Sequence, residues 1–202
     1  MTVTPKHDQL DLLHTKLCEN GAGELYGSHV NVVFGAGNPD ADLVIMGEAP
    51  GEGEDKKGEP FIGPSGQLLG KVLKKLGIGR DEVYITNVVK KRPPGNRNPS
   101  MQEMELHAPY LYAELAVIQP RVILTLGRTA SSFITVTEGR MGVLRSMKRL
   151  RYYDNKHDLA IPVISTWHPS YVLRSISEDN LAPLRDFALD VKRAAVWAMK
   201  AD

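Results

Sequence analysis

The chain has 202 residues, enough for one α/β domain with a full hydrophobic core and short for two. Its apolar fraction of 42% and charged fraction of 24% are those of an ordinary globule, and it contains no apolar run of about 18 residues that would span a membrane. The single cysteine, Cys18, excludes an internal disulfide and a cysteine-only metal site, and the net charge of +1 neither announces nor excludes a nucleic-acid partner. The N-terminal stretch carries acidic residues and no apolar signal region, so the expected location is cytoplasmic.

In chain order, residues 5–19 read as a helix, with Leu10, Leu12, Leu13 and Leu17 near helical spacing. Residues 42–47 (DLVIMG) form a short apolar run ending in glycine, the pattern of a buried parallel strand. Similar runs follow at 83–89, 121–127 and 161–166. Helical patterns lie between them at about 65–77, 100–118 and 128–135, and a last helix is expected over 180–200. Strands alternating with helices predict a three-layer α/β/α domain around a central, four-stranded, mainly parallel sheet. The whole chain is read as a single domain. Ligands of such sheets sit beyond the carboxyl ends of the strands, which selects loops 48–64, 87–99, 127–130 and 167–174.

Three of these loops hold unusual residues. Loop 47–66 (GEAPGEGEDKKGEPFIGPSG) is rich in glycine and proline, with Glu48 at the strand end. It lacks the Gly-Lys-Ser/Thr of a Walker loop, and Pro50 with Glu48, Glu52, Glu54 and Asp55 is wrong for a pyrophosphate. The second loop (TNVVKKRPPGNRNP) begins with Asn87, a polar residue inside an apolar strand. It is either a structural amide bonded to backbone or a recognition group. Lys90, Lys91, Arg92 and Arg97 follow, as phosphate contacts or as a solvated charge run. In the third loop (STWHPSYVLRS), His168 lies just past a strand end. Tyr171, Val172 and Leu173 read either as an apolar tip able to wedge into a base stack or as the first turn of a packed helix. A fourth stretch, 139–153, has Arg140, Arg145, Lys148, Arg149 and Arg151 with no acidic residue, and reads either as an exposed hairpin or loop on the DNA-facing side or as a charge run that solvates a surface.

Together these strings resemble the family 4 uracil-DNA glycosylases. The matching segments are NVVFGAGNPDADLVIMGEAPG (31–51), GEPFIGPSGQLL (58–69), VYITNVVKKRPPGNRNP (83–99), LGRTA (126–130) and WHPS (167–170), in the family's order and spacing. The resemblance implies an enzyme that flips uracil out of DNA and hydrolyses its N-glycosidic bond, leaving an abasic site. It implies roles as well. Phe61 stacks on the base, Ala49 lines the base pocket and Asn87 reads the uracil edge. Glu48 holds or activates the water, and His168 donates to O2 of the leaving base. It assigns Lys90, Arg92, Arg97, Ser170, Tyr171, Leu173 and Arg174 to the DNA contact.

The departures from the family also matter. The family holds a [4Fe–4S] cluster on four cysteines, and the corresponding positions here are about Asn20, Gly23, Lys91 and His107. No cluster, other metal or cofactor is therefore expected, and ordinary packing is expected to fix the N-terminal segment and the 90–107 stretch. The partner implied is DNA containing uracil, with no membrane partner, and the chain is expected to act as a monomer. A non-catalytic binder of uracil or abasic sites, and a glycosylase with a wider range of deaminated bases, stand as the alternatives.

Overall fold

The computed structural model describes residues 4–20, 30–154 and 158–200. Four parallel strands form the centre of the sheet: β2 (Leu43–Gly47), β3 (Tyr84–Asn87), β4 (Val122–Leu126) and β6 (Leu159–Thr166). The expected runs are therefore strands, within a residue or a few at each end. The sheet has six strands rather than four, in the order β1-β3-β2-β4-β6-β5. The two additions are antiparallel edges: β1 (Ala36–Gly37) on β3 and β5 (Arg151–Asp154) on β6.

Residues alternate across a strand, and both faces of this sheet are buried. Along β2, Val44 and Met46 face one core and Leu43 and Ile45 the other. The first core is closed by α1 (Lys6–Asn20), α4 (Met101–Ile118) and α5 (Arg128–Thr135), through Leu10, Leu17, Leu111, Leu115, Ile118 and Ile134. The second is closed by α3 (Pro64–Lys75), α7 (Pro169–Ser175) and α8 (Ala182–Met199), through Leu69, Leu73, Val172, Phe187 and Val191. Burying an aliphatic or aromatic side chain contributes about 1.5–3 kcal/mol, so these two apolar layers supply the main drive to fold.

The described residues also include the short α-helices α2 (Glu52–Lys57) and α6 (Met141–Ser146). The basic stretch 139–153 is partly packed: it runs into β5, antiparallel to β6, and Arg140, Lys148 and Arg149 stay exposed. Leu144, Leu150 and Tyr152 are buried, and Arg145 bonds Asp186 at 2.8 Å and also pairs with Asp190 on α8. The long helix α4 starts on a reciprocal cap. Ser100 Oγ accepts from the Glu103 N–H at 3.2 Å, and the Glu103 carboxylate accepts from the Ser100 N–H at 2.6 Å.

Candidate active site

The parallel register brings the four strand ends together. Gly47 pairs with Asn87, and Leu126 with Thr166. The residues that follow, Glu48 after β2, Gly127 to Thr129 after β4 and His168 after β6, therefore gather at one edge of the sheet. They line a cleft of about 730 Å³ with Phe61, Asn87, Ser170 and Tyr171. The first turns of α3 and α5 open onto the same cleft, so their N-terminal backbone dipoles add positive potential to it.

Phe61 is placed by its loop rather than by a regular element. Its φ of 54° is unusual for a bulky residue, so its surroundings must enforce it. The buried Glu54 carboxylate accepts from the N–H groups of Ile62 at 3.0 Å and Gly63 at 2.8 Å. Arg80 donates to the Phe61 carbonyl at 3.1 Å and to the Pro60 carbonyl. Two glycines leave the room. A Cβ on Gly66 would overlap the Phe61 carbonyl, and one on Gly47 would overlap the Phe61 ring and lie 2.5 Å from Asn87 Oδ1. The glycine at the end of β2 is thus required by the close approach of ring and amide.

Asn87 is 1% exposed, and its Oδ1 meets no donor among the described residues. A buried acceptor left unpaired costs about 1–3 kcal/mol. Such an orphan at a cleft wall suits a ligand that brings its own donor. Of the two readings of Asn87, the structural amide loses ground, because its oxygen makes no bond to backbone.

Of the titratable groups that line the cleft, Glu48 and His168 stand just past strand ends. Burial pushes the Glu48 carboxyl above the ordinary 4.5, against a hydrogen bond from the Thr129 side chain and the charge of Arg128, which both lower it. His168 is pulled down to about 4, chiefly by burial and then by Arg174. It is therefore neutral at pH 7. Its Nδ1 accepts from the Ser170 N–H at 3.2 Å and lies 2.8 Å from Ser170 Oγ. An acceptor Nδ1 puts the ring proton on Nε2, so the imidazole presents a neutral N–H donor.

The basic residues are arranged differently from the expectation. Lys90 cannot meet phosphate here: it has no exposure and pairs with Glu114 in the core. Lys91 is also buried. Arg92 donates to Asn96 Oδ1 at 2.7 Å and lies 3.7 Å from Glu52 and 3.9 Å from Asp55, so it ties its loop to α2. Arg97 forms a two-pronged bond to Glu103, 2.7 Å on each prong, and its half-exposed side chain still borders the cleft. Arg128 and Arg174 are exposed at the rim, and neither forms an ion pair among the described residues. Arg128 and Thr129 carried no role in the sequence reading, since one basic residue and one hydroxyl at a helix start leave no pattern. The apolar tip resolves into α7. Val172 is buried, while Tyr171 and Leu173 remain exposed, with Tyr171 stacked on Trp167 at 4.7 Å.

The donor set does not fit an iron–sulfur cluster. Lys91 and His107 are buried and are not thiols, and Cys18 is exposed on α1. Gly23 lies outside the described residues, as does the side chain of Asn20. Among the described residues no group of three or more His, Cys, Asp or Glu side chains could hold a metal ion.

Comparison with known proteins adds an independent line. Residues 34–192 match the model of the uracil DNA glycosylase superfamily. The chain is 36% identical over 196 residues to a type-4 uracil-DNA glycosylase of Sulfurisphaera tokodaii, covering 94% of this chain and 89% of that one. It is 37% identical over 198 residues to the Thermotoga maritima type-4 enzyme, covering 96% and 97%. With the Archaeoglobus fulgidus type-4 enzyme it shares 42% identity over 151 residues, covering 74% and 76%.

Proposed function

The chain belongs to the uracil-DNA glycosylase superfamily, and from that premise we propose how its cleft excises uracil from DNA. The flipped base enters between the loop carrying Phe61 and the end of β6, with Ala49 on the pocket wall. Phe61 offers a ring face for stacking, worth about 1–3 kcal/mol per base. The Asn87 oxygen accepts the N3–H of uracil, and its amide nitrogen donates to O4. Cytosine presents an acceptor at N3 and a donor at the exocyclic amine, so it leaves both halves of that amide mismatched.

The chemistry follows from the two titratable groups. The C1′–N1 bond breaks, and its electron pair passes to uracil. Negative charge then builds on O2, where the neutral His168 Nε2–H donates. Glu48, whose ionised form Thr129 and Arg128 favour against burial, faces the positive charge developing on the sugar and orients the water. The water oxygen bonds to C1′, and its proton passes to the carboxylate. Uracil leaves as its anion and takes a proton from solvent as Glu48 releases one, so the products are free uracil and an abasic site. Ser170, Tyr171, Leu173 and Arg174 on α7, with Arg97, Arg128 and the tied loop of Arg92, form the DNA-facing rim. Lys90 is not among them. No helix among the described residues is long and apolar enough to cross a membrane, and we read the enzyme as a cytoplasmic monomer acting on uracil-containing DNA.

The observation that carries this reading is the orphaned Asn87 oxygen in the cleft wall. The test is excision of uracil from a labelled oligonucleotide, with alkaline cleavage at abasic sites, for wild type beside Glu48→Ala. Wild-type cleavage is expected, with a loss of about 10²–10⁴-fold in the variant. A folded wild type that binds uracil-DNA without cleaving it would identify a binding protein instead.

A further inference from the structure

Behind Asn87 lies an ion pair with no exposure on either side chain, Lys90 with Glu114. Neither group reaches the cleft, and the mechanism above does not use them. Lys90 Nζ also donates to Thr86 Oγ1 at 2.6 Å and to the backbone carbonyl of Asn87 at 2.9 Å. The Glu114 carboxylate accepts from Thr86 Oγ1 at 2.9 Å, Tyr84 Oη at 3.1 Å and the Gly35 N–H at 3.0 Å. Glu114 thus gathers β3, the segment before β1 and, through Lys90, the chain just beyond β3.

The position of the Asn87 bond is what matters. Asn87 ends β3, where the ladder runs out. The peptide unit between Asn87 and Val88 is held at both ends: its N–H donates to the Gly47 carbonyl at 3.0 Å, and its C=O accepts from Lys90. Gly47 precedes Glu48, and the Val89 N–H donates to the Glu48 carbonyl at 3.2 Å. The same few atoms therefore set the Asn87 backbone against the backbone of Glu48. Side chains alternate across the strand, so Tyr84 and Thr86 meet Glu114 on the α4 face while Ile85 and Asn87 point to the other.

Taking two charges out of water is costly, and an apolar pair of similar volume is often no less stable. Stability alone therefore gives no reason for charge at this place. We infer that Lys90 and Glu114 are a buried positioning pair, which locks the Asn87–Val88 peptide so that the Asn87 amide meets the base edge in one fixed orientation. This rests on the glycosylase reading above. The pair touches neither base nor water and is not catalytic.

The test compares wild type, Lys90→Met, Glu114→Leu and the double variant Lys90→Met/Glu114→Leu. Each single variant strands a charge or its partners and is expected to lose thermal stability. The double variant is expected to regain most of the wild-type Tm but not the activity. Single-turnover excision of uracil should stay about 10²-fold down, the scale of a misplaced group, with inhibition by free uracil weakened in parallel. A double variant with wild-type Tm, rate and uracil inhibition would overturn the inference and leave the pair merely structural. If the double variant does not fold, Thr86→Val removes the bridging hydroxyl and makes the same test, with wild-type kinetics again overturning it. A readout free of turnover separates this inference from the functional reading. The side-chain amide signals of Asn87, identified in ¹⁵N spectra by their loss in Asn87→Asp, should move or broaden in the folded variant without DNA. Unchanged signals would overturn the positioning role even if the protein proved not to cleave uracil-DNA.

Discussion

The rings of Phe61 and His168 stand 6.4 Å apart between centroids, inclined by 40°. One is delivered by the loop before α3 and the other by the end of β6; in the proposed mechanism one stacks on the base ring and the other donates to its O2. Shortening Phe61 to alanine removes the stacking face while leaving Glu48 and His168 in place. The expected result is a rise in KM of about 5- to 150-fold, with a smaller change in single-turnover rate, from stacking worth about 1–3 kcal/mol. A loss confined to kcat would place Phe61 elsewhere in the mechanism.

Asn87→Asp tests base selection. The carboxylate keeps the acceptor but loses the donor that meets O4, and it introduces charge into a buried site. Uracil excision is expected to fall by about 10²-fold or more. The ratio of cytosine to uracil excision should rise, because the introduced carboxyl, once protonated, can donate to the cytosine ring nitrogen. Both are read from oligonucleotides that differ only at the target base.

The pH profile should have one acid limb. Glu48 must be ionised, and burial raises its pKa above 4.5, so kcat/KM falls as pH drops through that raised value. His168, at about 4, stays neutral above it and gives no limb at the ordinary histidine position near 6.5. Arg128→Gln removes a cation that favours the carboxylate, so the Glu48 pKa rises and the limb moves to higher pH. A limb unmoved in Arg128→Gln would detach it from Glu48.

Stability should also fall in acid. His107, buried on α4, is pulled to about 3 by burial and by the charges of Lys90 and Lys91. Its folded value lies below the unfolded 6.5, so the unfolded chain binds the proton first. Stability from its neutral form is complete above pH 6.5 and drains as pH falls toward about 3. Thermal melts across that window should show a declining Tm, with a shallower decline in a folded His107→Asn variant.

Much of the fold could be read ahead of the structure, for a physical reason. Strands such as Leu43–Gly47 and Val122–Leu126 are buried on both faces and must be apolar throughout. The edges could not be read. Ala36–Gly37 is two residues long, and Arg151–Asp154 carries charge at both ends. Helix α2 (EGEDKK) has no apolar stripe, and it is tied to the following loop by Glu54, which accepts from the Ile62 and Gly63 amides. That Glu48, Asn87 and His168 line one cleft is legible in the sequence because each is a polar residue at the end of an apolar run. Lys90 was misread as a phosphate contact because its partner, Glu114, lies on another element and no local pattern links the two. Arg97 differs: its guanidinium pairs with Glu103 at the start of α4, yet its side chain stays half-exposed at the cleft.

The most direct measurement concerns the Asn87 oxygen. Oligonucleotides carrying uracil or 3-methyluracil at one position differ at that base only by a methyl in place of the N3–H. Single-turnover excision by the wild-type protein is expected to be efficient for uracil and lost for 3-methyluracil, because the buried acceptor then meets no donor. Equal rates on the two substrates would contradict the assignment of Asn87 as the group that selects the base.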